Sequence, residues 1–257
     1  MRLDLYLTEK GMADTRARAK RLIESGAVFV DGILTSKPAF EVKGEPAVTV
    51  KEEHYVGRGG EKLAAALTLF GVDPTGLCAL DIGASTGGFT DCLLQNGAAR
   101  VVAVDAGCGQ LHPKLLTDPR VTNIEKYNAR YLSREDVGEA ALVVMDVSFI
   151  SQTYILPQIP AVLAPGGRVL TLIKPQFEAG RGALNKKGVV KAPADQILAI
   201  QRVLEAAHAC GLVCRGLAPS PILGGDGNRE YLAFFTAGAE AVDVPVKKTV
   251  LEGAIFV

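Results

Sequence analysis

The stretch Asp81-Ile82-Gly83-Ala84-Ser85-Thr86-Gly87-Gly88-Phe89-Thr90 decides the fold of this 257-residue chain. It follows an apolar run at residues 77–80 and precedes a helical pattern. A strand, a glycine-rich turn and a helix, in that order, receive a nucleotide-like cofactor in a Rossmann-like sheet, because glycines let the backbone come close and the helix N-terminus offers free N–H groups. The stretch is neither the dinucleotide Gly-x-Gly-x-x-Gly nor a phosphate-binding loop, and no lysine follows its glycines. The acid before the first glycine therefore favours a cationic, hydroxyl-rich ligand such as S-adenosylmethionine.

The composition is that of an ordinary globular protein. Apolar residues make up 48% and charged residues 22%, and the formal net charge is zero, so no overall field points to nucleic acid. The five cysteines are odd in number and form no Cys-x-x-Cys pair, which favours free thiols in a reducing cytoplasm and no metal site. No apolar run approaches the roughly 20 residues that span a bilayer, and the N-terminus does not read as a signal peptide. We expect a cytoplasmic protein that does not bind membranes.

The chain divides into two regions of different pattern. Residues 1–52 read as a small α+β domain, residues 53–62 as a glycine-rich linker, and residues 63–257 as alternating strands and helices. Continuous apolar strands suit a sheet covered on both faces, so we predict a doubly wound α/β domain with a seven-stranded sheet. The strands are predicted at 77–82, 100–105, 121–125, 141–146, 168–173, 212–219 and 230–236, and the helices at 62–70, 88–96, 111–116, 151–163 and 193–210. The last strand follows a long loop instead of a crossover helix, which predicts antiparallel pairing.

The first region carries a basic patch. Helices are predicted from Leu3 and over residues 15–25, followed by a hairpin whose Asp31-Gly32 turn favours positive φ, and by a strand at 48–50. Basic side chains cluster in this region, which suits RNA phosphates; a solvated helix face is the plain alternative. The candidate RNA-binding residues are Arg2, Arg16, Arg18, Lys20, Arg21 and Lys37.

Further polar residues at strand ends complete a predicted cofactor site. Asp105 ends the second strand of the sheet and is placed to receive ribose hydroxyls. Asn128 follows the third strand and suits the adenine edge, and Asp81 suits the ammonium group. An exposed loop acid or a surface asparagine would have the same sequence signature. The candidate cofactor residues are Asp81, Gly83, Ala84, Ser85, Thr86, Gly87, Gly88, Asp105, Asn128 and Asp146.

Charged residues also follow two central strands. Asp146 comes directly after an apolar strand, and Lys174 directly after the next. The carboxyl ends of parallel strands face the ligand crevice of an open α/β sheet, so both are candidate site residues. A helix N-terminal acid and a snorkelling lysine are the structural alternatives. Lys62 and Glu230, taken singly, are typical of solvated side chains.

Several segments of the sequence resemble the motifs of a known protein family and occur in the same order along the chain. Residues 1 to about 50 resemble the RNA-binding domain of ribosomal protein S-four, through Arg2-Leu3-Asp4, the basic run from Arg16 to Ile23, the segment from Gly26 to Gly32, and Lys37-Pro38. The remainder resembles FtsJ-type 2′-O-ribose methyltransferases, and the combination resembles the haemolysin-A-like (TlyA) family of ribosomal RNA methyltransferases. The matching segments are 57–63, 81–90, 109–112, 128–130, 146–151, 174–180 and 227–230.

The resemblance implies a site and a reaction. In FtsJ-type enzymes a Lys-Asp-Lys-Glu tetrad serves the 2′-hydroxyl, and its counterparts here are Lys62, Asp146, Lys174 and Glu230. The implied reaction is 2′-O-methylation of ribosomal RNA, at cytidine, with S-adenosylmethionine as donor, no metal, and RNA or ribosomal subunits as partner. A non-catalytic RNA- or ribosome-binding protein, a membrane-lytic haemolysin and a small-molecule methyltransferase remain as alternatives.

Overall fold

The chain forms two compact units. The computed structural model describes residues 1–24, 26–50, 54–224, 227–238, 240 and 242–257, and of Arg21 only its backbone. The first unit comprises Met1–His54 and the second Tyr55–Val257. Each unit has its own apolar core.

The first unit packs two helices against a small sheet. Its elements are α1 (Leu3–Glu9), α2 (Arg16–Glu24), β1 (Val28–Val30), β2 (Ile33–Leu34) and β3 (Val48–Val50). The strands pair antiparallel in the order β2-β1-β3. Asp31 and Gly32 have φ angles of 52° and 76°, as a two-residue hairpin turn requires. The predicted helices and hairpin are confirmed.

A buried acid organises the basic residues of this unit. Asp4 accepts hydrogen bonds from Arg2 Nε at 3.0 Å and from Arg16 Nε at 3.0 Å, and it is 2% exposed. The hydrogen bond from Arg2 is the main reason that the pKa of Asp4 is lowered to about 2, against the opposing effect of burial. The two guanidinium groups are therefore held in place before any ligand binds.

The second unit is a doubly wound α/β domain. Its helices are α3 (Gly59–Leu69), α4 (Gly88–Gln95), α5 (Pro113–Leu116), α6 (Arg134–Val137), α7 (Ile159–Val162), α8 (Pro175–Glu178), α9 (Pro193–Ala209) and α10 (Val246–Glu252). Its strands are β4 (Cys78–Ile82), β5 (Arg100–Val104), β6 (Val121–Ile124), β7 (Ala140–Met145), β8 (Leu163–Ile173), β9 (Leu212–Pro219) and β10 (Tyr231–Ala237).

The seven strands form one sheet in the order β6-β5-β4-β7-β8-β10-β9. The pairs from β6 to β8 are parallel, and β10 is antiparallel to both of its neighbours. Alternate residues of β7 enter opposite cores, with Val143 and Met145 on one face and Leu142 and Val144 on the other. The predicted α/β class, the seven-stranded sheet and the antiparallel final strand are confirmed.

The helix predicted over residues 151–163 is wrong. This segment forms two 3-10 turns, Gln152–Tyr154 and Leu156–Gln158, then the single turn α7, and Leu163 already belongs to β8. Pro157 and Pro160 cannot donate a backbone hydrogen bond within a helix, which is why one continuous helix does not form.

The glycine-rich segment 53–62, predicted as a linker, is largely part of the second unit. Residues from Tyr55 onward belong to that unit, and α3 begins at Gly59, so Lys62 is helical. A Cβ on Gly60 would overlap the ring of Tyr55, and one on Gly59 would lie 3.3 Å from the ring of Phe89. These glycines therefore permit close packing of side chains against the helix start; residues 51–53 lie outside the described residues.

Removing the Asp4 charge should destabilise the first unit in a pH-dependent way. The carboxylate stabilises the fold above its ordinary pKa of 3.8, and this stabilisation is lost as the pH falls towards about 2. Because both arginines are half exposed, we expect Asp4→Asn to cost about 1–2 kcal/mol at pH 7 and progressively less below pH 4. Hydrogen exchange of the β1 amides measures this cost.

The matched control is Glu41→Gln, an exposed acid of the same unit that lies 4.0 Å from Lys43. We expect this change to have no measurable effect on the stability of the first unit at pH 7 or at pH 2. A cost of Asp4→Asn that stays constant from pH 7 to pH 2 would contradict the ion-pair account.

Candidate active site

Three strand ends and one strand start meet at one edge of the sheet. Strands β4, β7 and β8 are parallel and end there, while the antiparallel β10 starts there. Asp146 directly follows β7, Lys174 directly follows β8, and Glu230 directly precedes β10. Lys62 reaches this edge from α3. The structure therefore brings the four predicted tetrad residues together.

The four residues form two ion pairs. Lys62 Nζ lies 2.5 Å from Glu230 Oε2, and Lys174 Nζ lies 2.7 Å from Asp146 Oδ1. Lys62, Lys174 and Glu230 are buried and Asp146 is half-buried. A charge held out of water is tolerated when an opposite charge contacts it, so loss of any one member leaves an uncompensated buried ion.

Two contacts connect one pair to the other. Gln176, two residues after Lys174, donates from Nε2 to Glu230 Oε1 at 3.4 Å. A Cβ on Gly59 would lie 3.6 Å from Asp146 Oδ2, so the start of α3 passes close to the second pair. The two lysines and two carboxylates thus form one compact cluster with no net formal charge.

The glycine loop lies beside this cluster. Gly83 and Gly87 have φ angles of 86° and 95°, which favour glycine. A Cβ on Gly83 would lie 2.8 Å from the carbonyl oxygen of Asp146, and one on Gly87 would overlap Leu115. The loop is therefore packed directly against the backbone of a tetrad residue.

Asp105 joins two loops at the cofactor side. Its Oδ2 accepts from Ser85 N at 2.8 Å and its Oδ1 accepts from Gly107 N at 2.7 Å. Each carboxylate oxygen keeps a second lone pair, so the group can still accept hydrogen bonds from hydroxyls. Asp105 is half-buried and faces the cavity described next.

A cavity of about 420 Å³ opens beside the glycine loop, and Asp146 is the tetrad residue that lines it. Its lining includes five of the predicted cofactor residues, namely Gly83, Ser85, Asp105, Asn128 and Asp146. The other five, Asp81, Ala84, Thr86, Gly87 and Gly88, do not line it. Of these five, Thr86 is exposed and the other four are buried.

Asp81 is fully buried under the glycine loop. Thr90 Oγ1 donates to Asp81 Oδ2 at 2.6 Å, while Oδ1 has no hydrogen-bond partner among the described residues. Burial raises the pKa of the Asp81 carboxyl to about 7; the hydrogen bond from Thr90 opposes this rise and the charge of Asp146 adds to it. Asp81 does not line the cavity, so its contact with a ligand's ammonium group, direct or through water, stays a prediction.

Asn128 lines the cavity but its amide oxygen is already used. Oδ1 accepts from Arg130 N at 3.1 Å and caps the 3-10 turn Ala129–Tyr131. This capping role explains an asparagine at that position without a ligand. The side-chain NH2 of Asn128 is the group that would remain for an adenine edge.

Sequence reasoning assigned no role to two residues at the cluster. Ser148 accepts a hydrogen bond from Lys174 Nζ at 2.9 Å. Phe149 is 93% exposed, has a left-handed φ of 65°, and its ring centroid lies 5.3 Å from that of Phe177. Such a backbone conformation in a bulky residue costs on the order of 1–3 kcal/mol and marks functional sites. Both residues lie in segment 146–151, which the family resemblance had already singled out.

Five of the six candidate RNA-binding residues of the first unit are exposed. Arg2 and Arg16 are held by Asp4, and Lys20 lies 3.7 Å from Glu24 in a surface pair. Arg18 and Lys37 are also exposed. The side chain of Arg21 lies outside what the structure describes, although its backbone belongs to α2.

No group of three or more His, Cys, Asp or Glu side chains is arranged to hold a metal ion in the described part of the chain. No helix among these residues is both long and apolar enough to cross a membrane.

Asp81→Asn should change how stability depends on pH in the cofactor-free protein. Since the folded pKa of about 7 lies above the ordinary value of 3.8, ionisation of Asp81 opposes folding increasingly between pH 4 and pH 7. The free energy of unfolding of Asp81→Asn relative to wild type should therefore rise by about 2–4 kcal/mol from pH 4 to pH 8. Chemical denaturation across this range measures it.

Asp243→Asn, at an exposed position near the C-terminus, serves as the control and should show no such rise. A constant difference between Asp81→Asn and wild type across the range would contradict a buried carboxyl of high pKa.

Each of the two units matches a known protein family. The FtsJ-like methyltransferase model matches residues 55–237, and the S4 domain model matches residues 1–46. These matches confirm the two resemblances expected from the motifs.

Relatives cover nearly the whole chain. The 16S/23S rRNA (cytidine-2′-O)-methyltransferase TlyA of Mycobacterium tuberculosis is 39% identical over 98% of both chains. Hemolysin A of Brachyspira hyodysenteriae is 42% identical over 91% of this chain and 99% of its own. A solved structure from Streptococcus thermophilus, described as a candidate hemolysin, matches with a TM-score of 0.78 at 39% identity, over 98% of this chain and 95% of that one. The chain belongs to the FtsJ-like methyltransferase family, with an S4 domain ahead of the methyltransferase domain.

Proposed function

We propose that this protein transfers a methyl group from S-adenosylmethionine to the 2′-hydroxyl of a cytidine in ribosomal RNA. The observation that carries the proposal is the pairing of Lys174 with Asp146 and of Lys62 with Glu230, together with a cavity that both Asp146 and the glycine loop line. The printed name of the Mycobacterium tuberculosis relative states the same reaction for that protein.

The residues around the cavity fit the proposed donor. Gly83 lines the cavity, and Asp105 offers carboxylate lone pairs suited to ribose hydroxyls. Asn128 also lines the cavity, and its amide NH2 suits an adenine edge. When bound, S-adenosylmethionine supplies an electrophilic methyl group whose departure leaves a neutral thioether, so no metal is needed to assist the leaving group.

Lys174 has the central role in the proposed chemistry. A ribose hydroxyl is a poor nucleophile while it keeps its proton, so it needs a group that accepts or directs that proton. Lys174 Nζ, held between Asp146 Oδ1 and Ser148 Oγ, is the candidate. With the donor bound, the 2′-oxygen would form its bond to the methyl carbon as the carbon–sulfur bond breaks and its electron pair stays on sulfur. The hydroxyl proton would pass to the Lys174 amine, which must first release its own ammonium proton to solvent.

The other tetrad members orient Lys174 and set the electrostatic field at the site. Asp146 orients the Lys174 amine, and its backbone carbonyl lies against Gly83 of the cofactor loop. Lys62 and Glu230 hold the nucleotide and stabilise charge that develops in the transition state. Placement of the acceptor beside the donor is a large part of such catalysis.

The first unit supplies RNA affinity in this proposal. Its exposed arginines and lysines suit phosphate contacts, which do not read base identity. Selection of a single cytidine therefore falls to the methyltransferase unit and to the shape of the ribosomal RNA around the target.

Two substitutions of Lys174 test the chemistry. Lys174→Ala removes the amine, and Lys174→Arg keeps a cation beside Asp146 but cannot release a proton near neutral pH. We expect both to lower transfer of labelled methyl groups to ribosomal subunits by about 100-fold or more, with nuclease digestion of the wild-type product yielding 2′-O-methylcytidine.

Lys247→Ala, an exposed lysine of α10, is the matched control and should transfer normally. Calorimetric binding of S-adenosylmethionine to Lys174→Arg should equal that of wild type, which separates lost chemistry from lost folding. Equal background labelling by wild type and Lys174→Ala, with RNA still bound, would instead favour a non-catalytic RNA-binding protein.

Charge removal in the first unit should weaken RNA binding in a salt-dependent way. The double change Arg18→Ala with Lys37→Ala removes two exposed cations that are not held by Asp4. We expect the slope of log affinity against log salt concentration to fall by about 2, because each lost phosphate contact releases about one counterion fewer. Filter binding to ribosomal RNA at several salt concentrations measures this slope.

Lys43→Ala, which removes another exposed lysine of the unit, is the control and should leave the slope unchanged. An unchanged slope in the double variant would exclude Arg18 and Lys37 from the RNA contact.

A further inference from the structure

We propose that Glu178 is a positioning residue: it holds the loop of residues 147–151 against helix α8 and thereby sets how Lys174 meets Asp146 and Ser148. The inference rests on the proposed function, because it concerns the same site. Glu178 acts through the loop, so its loss should lower the rate of the chemical step.

Both carboxylate oxygens of Glu178 are used to hold the end of this loop. Oε1 accepts from the backbone N–H of Gln152 at 2.9 Å, and Oε2 accepts from Ser151 Oγ at 2.5 Å. Glu178 is 2% exposed and is the last residue of α8, the turn that begins directly after Lys174. The carboxylate therefore joins the far end of the loop to the turn that carries Lys174 at its start.

Gln152 extends this connection to both central strands. Its Nε2 donates to the carbonyl of Leu172 at 2.6 Å, and its Oε1 accepts from Thr171 Oγ1 at 2.7 Å. Thr171 Oγ1 also lies 3.2 Å from the carbonyl oxygen of Met145. Met145 precedes Asp146, and Leu172 lies two residues before Lys174, so one buried network spans the strand ends that carry this ion pair.

The loop between these anchors is strained at Phe149. Ser148, before it, is bound by Lys174 Nζ at 2.9 Å, and Ser151, after it, is bound by Glu178 at 2.5 Å. A left-handed bulky residue persists only where its surroundings over-determine it. Loss of the Glu178 anchor would let Phe149 relax and move Ser148 away from the Lys174 amine.

The chemistry of residue 178 also indicates an orienting role. Burial raises the pKa of the Glu178 carboxyl, while its hydrogen bonds from Ser151 and from the Gln152 amide, and the nearby charge of Arg202, oppose the rise. The Arg202 guanidinium donates to the main-chain carbonyl of Glu178. An apolar side chain would fill the same space without the cost of desolvating a charge, so packing alone does not explain an acid here.

Glu178→Ala and Glu178→Gln test the proposal in the full-length protein. Glu178→Ala should lower kcat by about 10- to 100-fold through misplacement of Lys174, with KM for RNA unchanged. Amide hydrogen exchange in residues 147–153 should accelerate, while exchange in β5 stays as in wild type. Glu178→Gln keeps an acceptor for the Gln152 amide and should restore most of kcat.

Val203→Ala is the control for loss of stability alone. Val203 is fully buried in the apolar core on α9 and belongs to none of these hydrogen bonds. Val203→Ala should lower the thermal midpoint without a selective loss of kcat and without selectively faster amide exchange in residues 147–153.

Three results would overturn the proposal. They are a wild-type kcat in Glu178→Ala, a loss of kcat in Glu178→Ala that merely follows its fraction of unfolded protein as in Val203→Ala, or unchanged exchange of residues 147–153. The exchange measurement needs no methyl transfer. Absence of transfer by wild type to any ribosomal subunit would therefore refute the proposed function, while exchange alone still decides whether Glu178 holds the loop.

Discussion

Pairing of buried charges is the constraint on which this site depends. Two lysines and two carboxylates lie where β4, β7 and β8 end and β10 starts, and the burial of Lys62, Lys174 and Glu230 requires an opposite charge beside each of these three. The pairs also connect the framework, because Lys62 joins α3 to the start of β10 and Lys174 joins β8 to the end of β7. The backbone of Asp146 in turn packs against Gly83, so the same residues that balance charge adjoin the cofactor loop. The same ion pairs therefore connect the secondary-structure elements and form the proposed catalytic site.

Much of this arrangement could be predicted from local sequence. Asp146 and Lys174 directly follow apolar strands, and parallel strands of such a sheet end at one edge, which places both residues correctly without a structure. The antiparallel direction of β10 followed from the long loop before it, and this direction brings Glu230 to the same edge. What the pattern could not supply is the pairing of Lys62 with Glu230. This contact depends on how α3 packs against the sheet, which is tertiary structure.

Local patterns have more than one physical cause, and this limits what the sequence could predict about the site. Glycines at 57–60 were interpreted as a linker, but they permit close packing around the start of α3 against Tyr55 and Phe89. Asp81, expected at the ligand, lies fully buried beneath the loop with Thr90. Asn128 caps a 3-10 turn, a role its sequence position does not reveal. Phe149 and Glu178 carry no sequence signature of their own, since a strained φ and a buried carboxylate are visible only once the loop is placed.

The central claim is that the paired tetrad directs a methyl group to a ribose hydroxyl of ribosomal RNA. The most direct measurement is a map of 2′-O-methylated nucleotides in ribosomal RNA from cells that lack this protein, and from the same cells supplied with the wild-type protein or with Glu230→Gln. The account predicts a 2′-O-methylcytidine that is present with wild type and missing both in the deletion and with Glu230→Gln. Identical maps from all three strains would contradict it.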